Sequence, residues 1–172
     1  MQQEGVRQDS ATFVAVLNTF GSVVAIEEGR SAHEQIIQSG WDSNAFVGNC
    51  LVDMYAKCGS MEQAWRVFNK MPSEGVKPDD ITFVCLLSAC SHAGLVDEGM
   101  CCYASMVTDY MISAKLEHYT CMVDLLGHAG CLQDAESMVM AVPCKPHVAA
   151  WMALLGACRI CGNVEMAEHV AK

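Results

Sequence analysis

Proline is scarce in this chain, four residues in 172, and charged side chains make up only 17% of it. Few prolines together with 52% hydrophobic residues exclude wholesale disorder. No apolar run reaches the ~18 residues that a membrane-spanning helix needs, which excludes a helical membrane protein and leaves no membrane partner to expect. Residues 1–30 lack the charged start, apolar stretch and small-residue cleavage site of a secretion signal, and they are not Arg-rich and acid-poor like a transit peptide. Basic clusters are missing as well. The ten Lys and Arg are scattered singly against twenty Asp and Glu, so the net charge is −10 and counter-ion release on nucleic acid should be weak.

Enzyme signatures are equally scarce. A zinc deaminase needs His-x-Glu and Pro-Cys-x-x-Cys; no His-x-Glu occurs, and Cys158 follows Ala157 rather than Pro. There is no phosphate-binding glycine loop and no Gly-x-Ser-x-Gly elbow. The chain is expected to be no enzyme by itself and to hold no cofactor.

What is present is repetition. Asn49–Gly59, Val84–Gly94, Thr120–Gly130 and Met152–Gly162 share one pattern, and their closing glycines are spaced by 35, 36 and 32 residues. A second column, Gly29, Ala64, Gly99, Ala135 and Ala167, keeps the same rhythm, each three residues after an apolar one. Two columns in register define a repeat protein. The first half of each unit spaces apolar residues as a helix does, for example Leu51, Val52, Met54 and Tyr55, and it ends near a Gly suited to a left-handed cap. The second half opens with acids (Glu27, Glu28, Glu62, Asp97, Glu98, Asp134, Glu165), which the positive end of a helix favours. The small column should sit where the two helices of a hairpin touch. Neither helix buries its apolar face alone, so neighbours must stack into an all-α solenoid.

Seven of the eleven cysteines fall in columns of the same repeat. Cys50, Cys85 and Cys121 share one, Cys90 and Cys158 another, Cys58 and Cys161 a third, where other units carry Ala, Leu, Tyr or Val. They are expected to be reduced core thiols. Cys158-Arg-Ile-Cys161 lacks the second ligand pair of a zinc site, so no metal is expected.

Gly75-Val-Lys-Pro-Asp79, Tyr55-Ala-Lys-Cys-Gly-Ser-Met-Glu-Gln-Ala64 and Val67-Phe-Asn-Lys-Met-Pro72 resemble the pentatricopeptide repeat. Tetratricopeptide repeats fit poorly, because they want a small residue where Leu17, Val52, Leu87, Val123 and Leu155 stand. The variable unit lengths resemble the plant subclass that alternates long and short repeats. His118–Gly130 followed by Trp151–Arg159 is similar to that subclass's last short repeat and its E-type extension motif. The resemblance implies a right-handed α-solenoid with the end of one repeat at 1–9, repeats at 10–44 (long), 45–79, 80–115 (long) and 116–147 (short), and an incomplete extension at 148–172. It implies the C-terminal portion of a longer array, which would account for the missing organelle-targeting segment.

The family is similar to readers of one RNA base per repeat. On that resemblance the fifth and last residues of each unit face a base: Val14 with Asn44, Asn49 with Asp79, Val84 with Lys115, and Thr120 with His147. Asn49 with Asp79 is the pairing associated with uracil. An amide can donate to a pyrimidine carbonyl and accept from its N3–H while a carboxylate orients it. Val14 and Val84 offer no hydrogen bond, and His147 stands where Asp is usual. The second residue of each unit (Ala11, Phe46, Ile81, Glu117, Ala149) should pack on base faces, with Phe46 and Ile81 the large apolar members. Glu117 would repel phosphate. Lys57 is the expected phosphate contact.

The implied function is a sequence-specific adaptor for single-stranded organellar RNA in the mitochondrion or chloroplast, choosing sites for cytidine-to-uridine editing. Its partners in trans would be a deaminase-bearing repeat protein or multiple organellar RNA editing factors. The alternative is a protein-interaction scaffold in an editing complex with little RNA affinity, which the charge of −10 favours.

Overall fold

A computed structural model describes residues 9–143 and 148–170. Among these the chain is helical throughout, with no strand, and it divides into two compact units, Met1–Pro78 and Asp79–Lys172.

The first unit contains α1 (Ser10–Val23), α2 (Ile26–Gln38), α3 (Ala45–Lys57) and α4 (Met61–Lys70), followed by a 3-10 turn at Met71–Glu74. Side-chain caps start the odd helices. Asp9 accepts the Thr12 N–H at 2.8 Å, and Asn44 accepts from Phe46 and Val47 at 3.0 and 3.1 Å. The even helices have no side-chain cap and instead place Glu27, Glu28 and Glu62 in their first turns. α1 lies against α3, and α2 packs on both α1 and α3. Phe13, Leu17, Ile36, Leu51, Met54 and Val67 are buried there, and none could be covered by its own helix alone.

The second unit repeats this plan with α5 (Asp80–Ala93), α6 (Val96–Thr108), α7 (Leu116–His128), α8 (Leu132–Met140), α9 (Val148–Cys161) and α10 (Val164–Val170). The first helices α5, α7 and α9 pack in sequence, with α6 on α5 and α7 and α8 on α7 and α9. Phe83, Leu86, Met106, Met122, Leu125 and Leu154 form its interior. Phe83 meets Tyr110 edge to face at 5.1 Å, which ties the long connection after α6 to the core.

The column of small residues serves a wider purpose than closing one hairpin. A Cβ on Gly29 in α2 would lie 2.5 Å from Met54 Sδ in α3, the next hairpin's first helix. On Gly99 in α6 it would overlap Leu125 of α7 and stand 3.3 Å from Cys90 of its own partner α5. α2 and α6 therefore each nest between two first helices, with the small residue at the close contact.

Gly59, Gly94, Gly130 and Gly162 close the first helices with φ between 68° and 79°. The equivalent place after α1 holds Val24, at φ 56° and exposed. A β-branched side chain in the left-handed region clashes with its own carbonyl. Val24→Gly should therefore raise stability by about 1 kcal/mol, the relieved strain exceeding the entropy that glycine adds to the unfolded chain. Thermal unfolding checks this; a lowered midpoint would show that Val24 is not strained.

Candidate nucleic-acid interface

Helical spacing sets Phe46, Asn49, Asp53 and Lys57 along one stripe of α3. Phe46 is 59% exposed. A core role for this ring is thereby excluded, and its apolar face is offered to solvent. Asn49, one turn on, is only 4% exposed, and it is not without a partner. Lys57 ends the stripe, its ammonium 2.7 Å from the Asp53 carboxylate. That pairing weakens the attraction of Lys57 for phosphate.

In the second unit Ile81 occupies the same second place on α5 as Phe46 on α3, and it is 51% exposed. Ala11, Glu117 and Ala149 are exposed at their equivalent places too. Every described second residue thus faces solvent, two of them with large apolar side chains. Val14 and Val84 are half-buried. Thr120 is half-buried as well, and its hydroxyl donates to the Leu116 carbonyl at 2.9 Å, so only its lone pairs remain for a base.

Asp79 belongs to the second unit and works there as the cap of α5. Its Oδ1 accepts the Thr82 N–H and the Thr82 hydroxyl, each at 2.9 Å, while its own N–H donates to Thr82 Oγ1 at 3.0 Å. The Asp-x-x-Thr pattern announces this box in the sequence. Asp9, Asn44 and Asp79, which the sequence reading puts at the ends of repeats, are thus helix caps, which reasoning from the resemblance alone missed. His147 lies outside the described residues.

Lys115 breaks the pattern of Asp9, Asn44 and Asp79. It stands at the cap of α7 with no side-chain bond to the helix, and its ammonium pairs instead with the Asp80 carboxylate. His118, fully buried, takes the place that Thr82 fills in the preceding hairpin. Its Nδ1 accepts the Lys115 N–H at 3.0 Å, which puts the ring proton on Nε2, and Nε2–H donates to the Asp80 carbonyl at 3.0 Å. One imidazole therefore caps α7 and binds it to α5. Its offset of three residues from Lys115 is the signal that could have found it.

Cys90, Cys102 and Cys158 are buried as expected of core thiols, whereas Cys101 and Cys161 are exposed, which corrects the expectation for them. Burial pushes Cys90 and Cys121 up to about 11 and Cys102 higher still, so they stay protonated, the opposite of what a metal ligand requires. Among the described residues no group of three His, Cys, Asp or Glu is placed to hold a metal ion.

Stacked helical hairpins of ~35 residues define a helical-repeat protein. The PPR repeat family matches residues 43–92, and the PPR repeat itself matches 81–110 and 117–141. The chain is 38% identical over 98% of its length to the Arabidopsis thaliana pentatricopeptide repeat-containing protein At4g33990, covering 24% of that protein. It is 38% identical over its full length to At2g03880 of the same plant, named mitochondrial, covering 32%. With At3g49170, named chloroplastic, it shares 38% over 94%, covering 23%. The crystal structure of PPR10 from maize superposes with a TM-score of 0.75 at 21% identity, over 94% of this chain and 23% of that one. PPR10 in complex with an 18-nt psaJ RNA element gives 0.76 at 20%, over 96% and 25%. The chain belongs to the pentatricopeptide repeat family, and its fold is the all-α helical-repeat fold expected from the sequence. It spans about a quarter of the length of several curated relatives it matches.

Proposed function

We propose that this chain is part of an adaptor that binds single-stranded organellar RNA and selects sites for cytidine-to-uridine editing, without catalysis of its own. On this reading repeats begin at Ser10, Ala45, Asp80 and Leu116, and residues 148–172 form an E-type extension of the subclass with alternating repeat lengths. The extension recruits a deaminase-bearing partner or multiple organellar RNA editing factors in a mitochondrion or chloroplast. The observation that carries the proposal is the exposure of Phe46 and Ile81 at the same place in successive units. Large apolar side chains kept out of the core at a fixed spacing are what stacking on successive unpaired bases requires. PPR10, whose fold it shares, is described in complex with RNA.

Asn49 and Asp79 are then the uracil-reading pair, with Thr120 and His147 the pair of the 116–147 repeat and Lys57 near the RNA backbone. Asn49→Thr replaces a two-ended amide with a single hydroxyl. Measured in a longer array, it should shift preference at one RNA position from uracil towards guanine by about 1–3 kcal/mol. Uniform weakening of all RNAs, or no change, would remove Asn49 as a reader. That outcome would favour the second reading, a protein-interaction scaffold, which the closed-in, already partnered Asn49 and the charge of −10 support.

A further inference from the structure

Burial divides α6 into two faces. Gly99, Cys102 and Met106 are buried in the second unit. Met100, Ala104 and Val107, at intervals of four and three residues, share the opposite face, and all three are exposed. Intervals of four and three form the seam along which one helix takes another beside it. Met111 stands just past the helix end, 80% exposed and held in left-handed backbone at φ 55°. That conformation is costly for a residue with a side chain. The Ile112 N–H nevertheless closes the turn onto the Met106 carbonyl at 2.9 Å.

The face is set apart by its lack of charge. Residues 99–108 contain no Asp, Glu, Lys or Arg, in a chain whose net charge is −10. In the two places after the small residue of each second helix, α2 has Arg30, α4 has Arg66 and α8 has Glu136, whereas α6 has Met100 and Cys101. Apolar groups gathered on one outer face, rather than scattered singly, mark a contact surface. Its charges lie at the two ends: Asp97 and Glu98 before it and Asp109 after it, all exposed. Glu98 and Asp109 are eleven residues apart, about 16 Å along a helix.

These features describe the occupant. We propose that the outer face of α6 docks a partner protein through an amphipathic helix of about three to four turns, apolar along a seam of fours and threes and carrying Lys or Arg near both ends. A second copy of this chain does not supply such a helix, because none of its described helices has Lys or Arg at both ends. The site lies on a second helix, whereas Ile81 lies on the first helix α5, and it does not depend on RNA binding.

The test is fluorescence anisotropy of the 172-residue chain with a stapled helical peptide of about 16 residues, leucines on its seam and two lysines at each end. Binding should saturate at one peptide per chain. Replacing Met100 and Val107 together by serine, which changes no charge, should weaken it about tenfold, and so should serine in place of the peptide's leucines. Glutamates in place of the lysines should weaken it by a similar factor, about tenfold at low salt and less at high salt. Both chain substitutions are at exposed sites, so an unchanged thermal midpoint confirms that the variant is folded. Absence of saturable binding overturns the inference. Equal binding of the leucine and serine peptides, or of the wild type and the double variant, shows that charge alone attracts the peptide, and the inference falls. It falls too if sedimentation shows the wild type to dimerise and the double variant not to, because a second copy then covers the face, or if single-stranded RNA displaces the peptide.

Discussion

Replacing His118 with leucine should destabilise the second unit by about 2–4 kcal/mol. Leucine roughly fills the volume but can neither accept the Lys115 N–H nor donate to the Asp80 carbonyl, both met by the imidazole at 3.0 Å. A polar group stranded at a buried site costs about 1–3 kcal/mol, and two are stranded here. The higher end is not reached, because Lys115 is itself exposed and water can reach part of the gap. Denaturant unfolding checks the value. Lys115→Met provides the contrast: it removes only an exposed ion pair, which is expected to be worth about 0–1 kcal/mol. Equal losses from the two variants would mean that the ion pair, not the imidazole, joins α7 to α5.

Gly127→Val should cost about 3 kcal/mol. A Cβ at Gly127 in α7 would overlap the Ala157 Cβ in α9, and that atom is fixed directly to its helix backbone. No rotamer change relieves the clash, so the two helices must separate along a contact that also buries Leu154 and Cys158. Gly99 makes a useful comparison, since the atom in its way is the end of a leucine side chain that can turn. Gly156, in α9, has nothing within 4 Å of where its Cβ would stand. Gly156→Ala should therefore stabilise by about 1 kcal/mol through helix propensity alone. Thermal or denaturant unfolding of both variants checks the pair; stabilisation by Gly127→Val would show that α7 and α9 do not approach as described.

Much of this architecture can be read without coordinates because repetition multiplies weak local signals. A lone glycine says little, but Gly59, Gly94, Gly130 and Gly162 at a near-constant interval mark helix ends, and all four adopt the left-handed conformation expected of them. Val24 escaped that reading because its side chain hides the column; only the backbone shows that it belongs there. The spacing assigns the small residues to contacts within one hairpin, and Gly29 against Met54 shows that the next hairpin presses on them as well. Sequence spacing along one helix cannot reveal which neighbour arrives from outside it.

The candidate site was less legible, for a related reason. Register alone places Phe46 and Ile81 at equivalent positions, yet only their exposure separates a binding surface from a core aromatic and a core aliphatic residue. Asn49 illustrates the converse: its residue type suits hydrogen bonding to a base, but the fold leaves it 4% exposed and already partnered. His118 went unnoticed because its meaning depends on two backbone groups, one of them 38 residues away at Asp80.

Asn44 and Asp79, which the sequence reading places at the ends of repeats, each cap the helix that follows. On the proposed RNA-reading role, any change in what these positions recognise is also a change in how well the chain folds. Few side chains satisfy both demands, chiefly the short oxygen-bearing ones, so the vocabulary open to selection there is set by helix capping before any ligand is involved. Lys115 shows a way around that limit: His118, three residues on, takes over part of the cap. New recognition at these places should therefore arise in coordinated pairs three residues apart, and a single exchange that ignores the cap would be removed by its effect on folding before its effect on binding could matter.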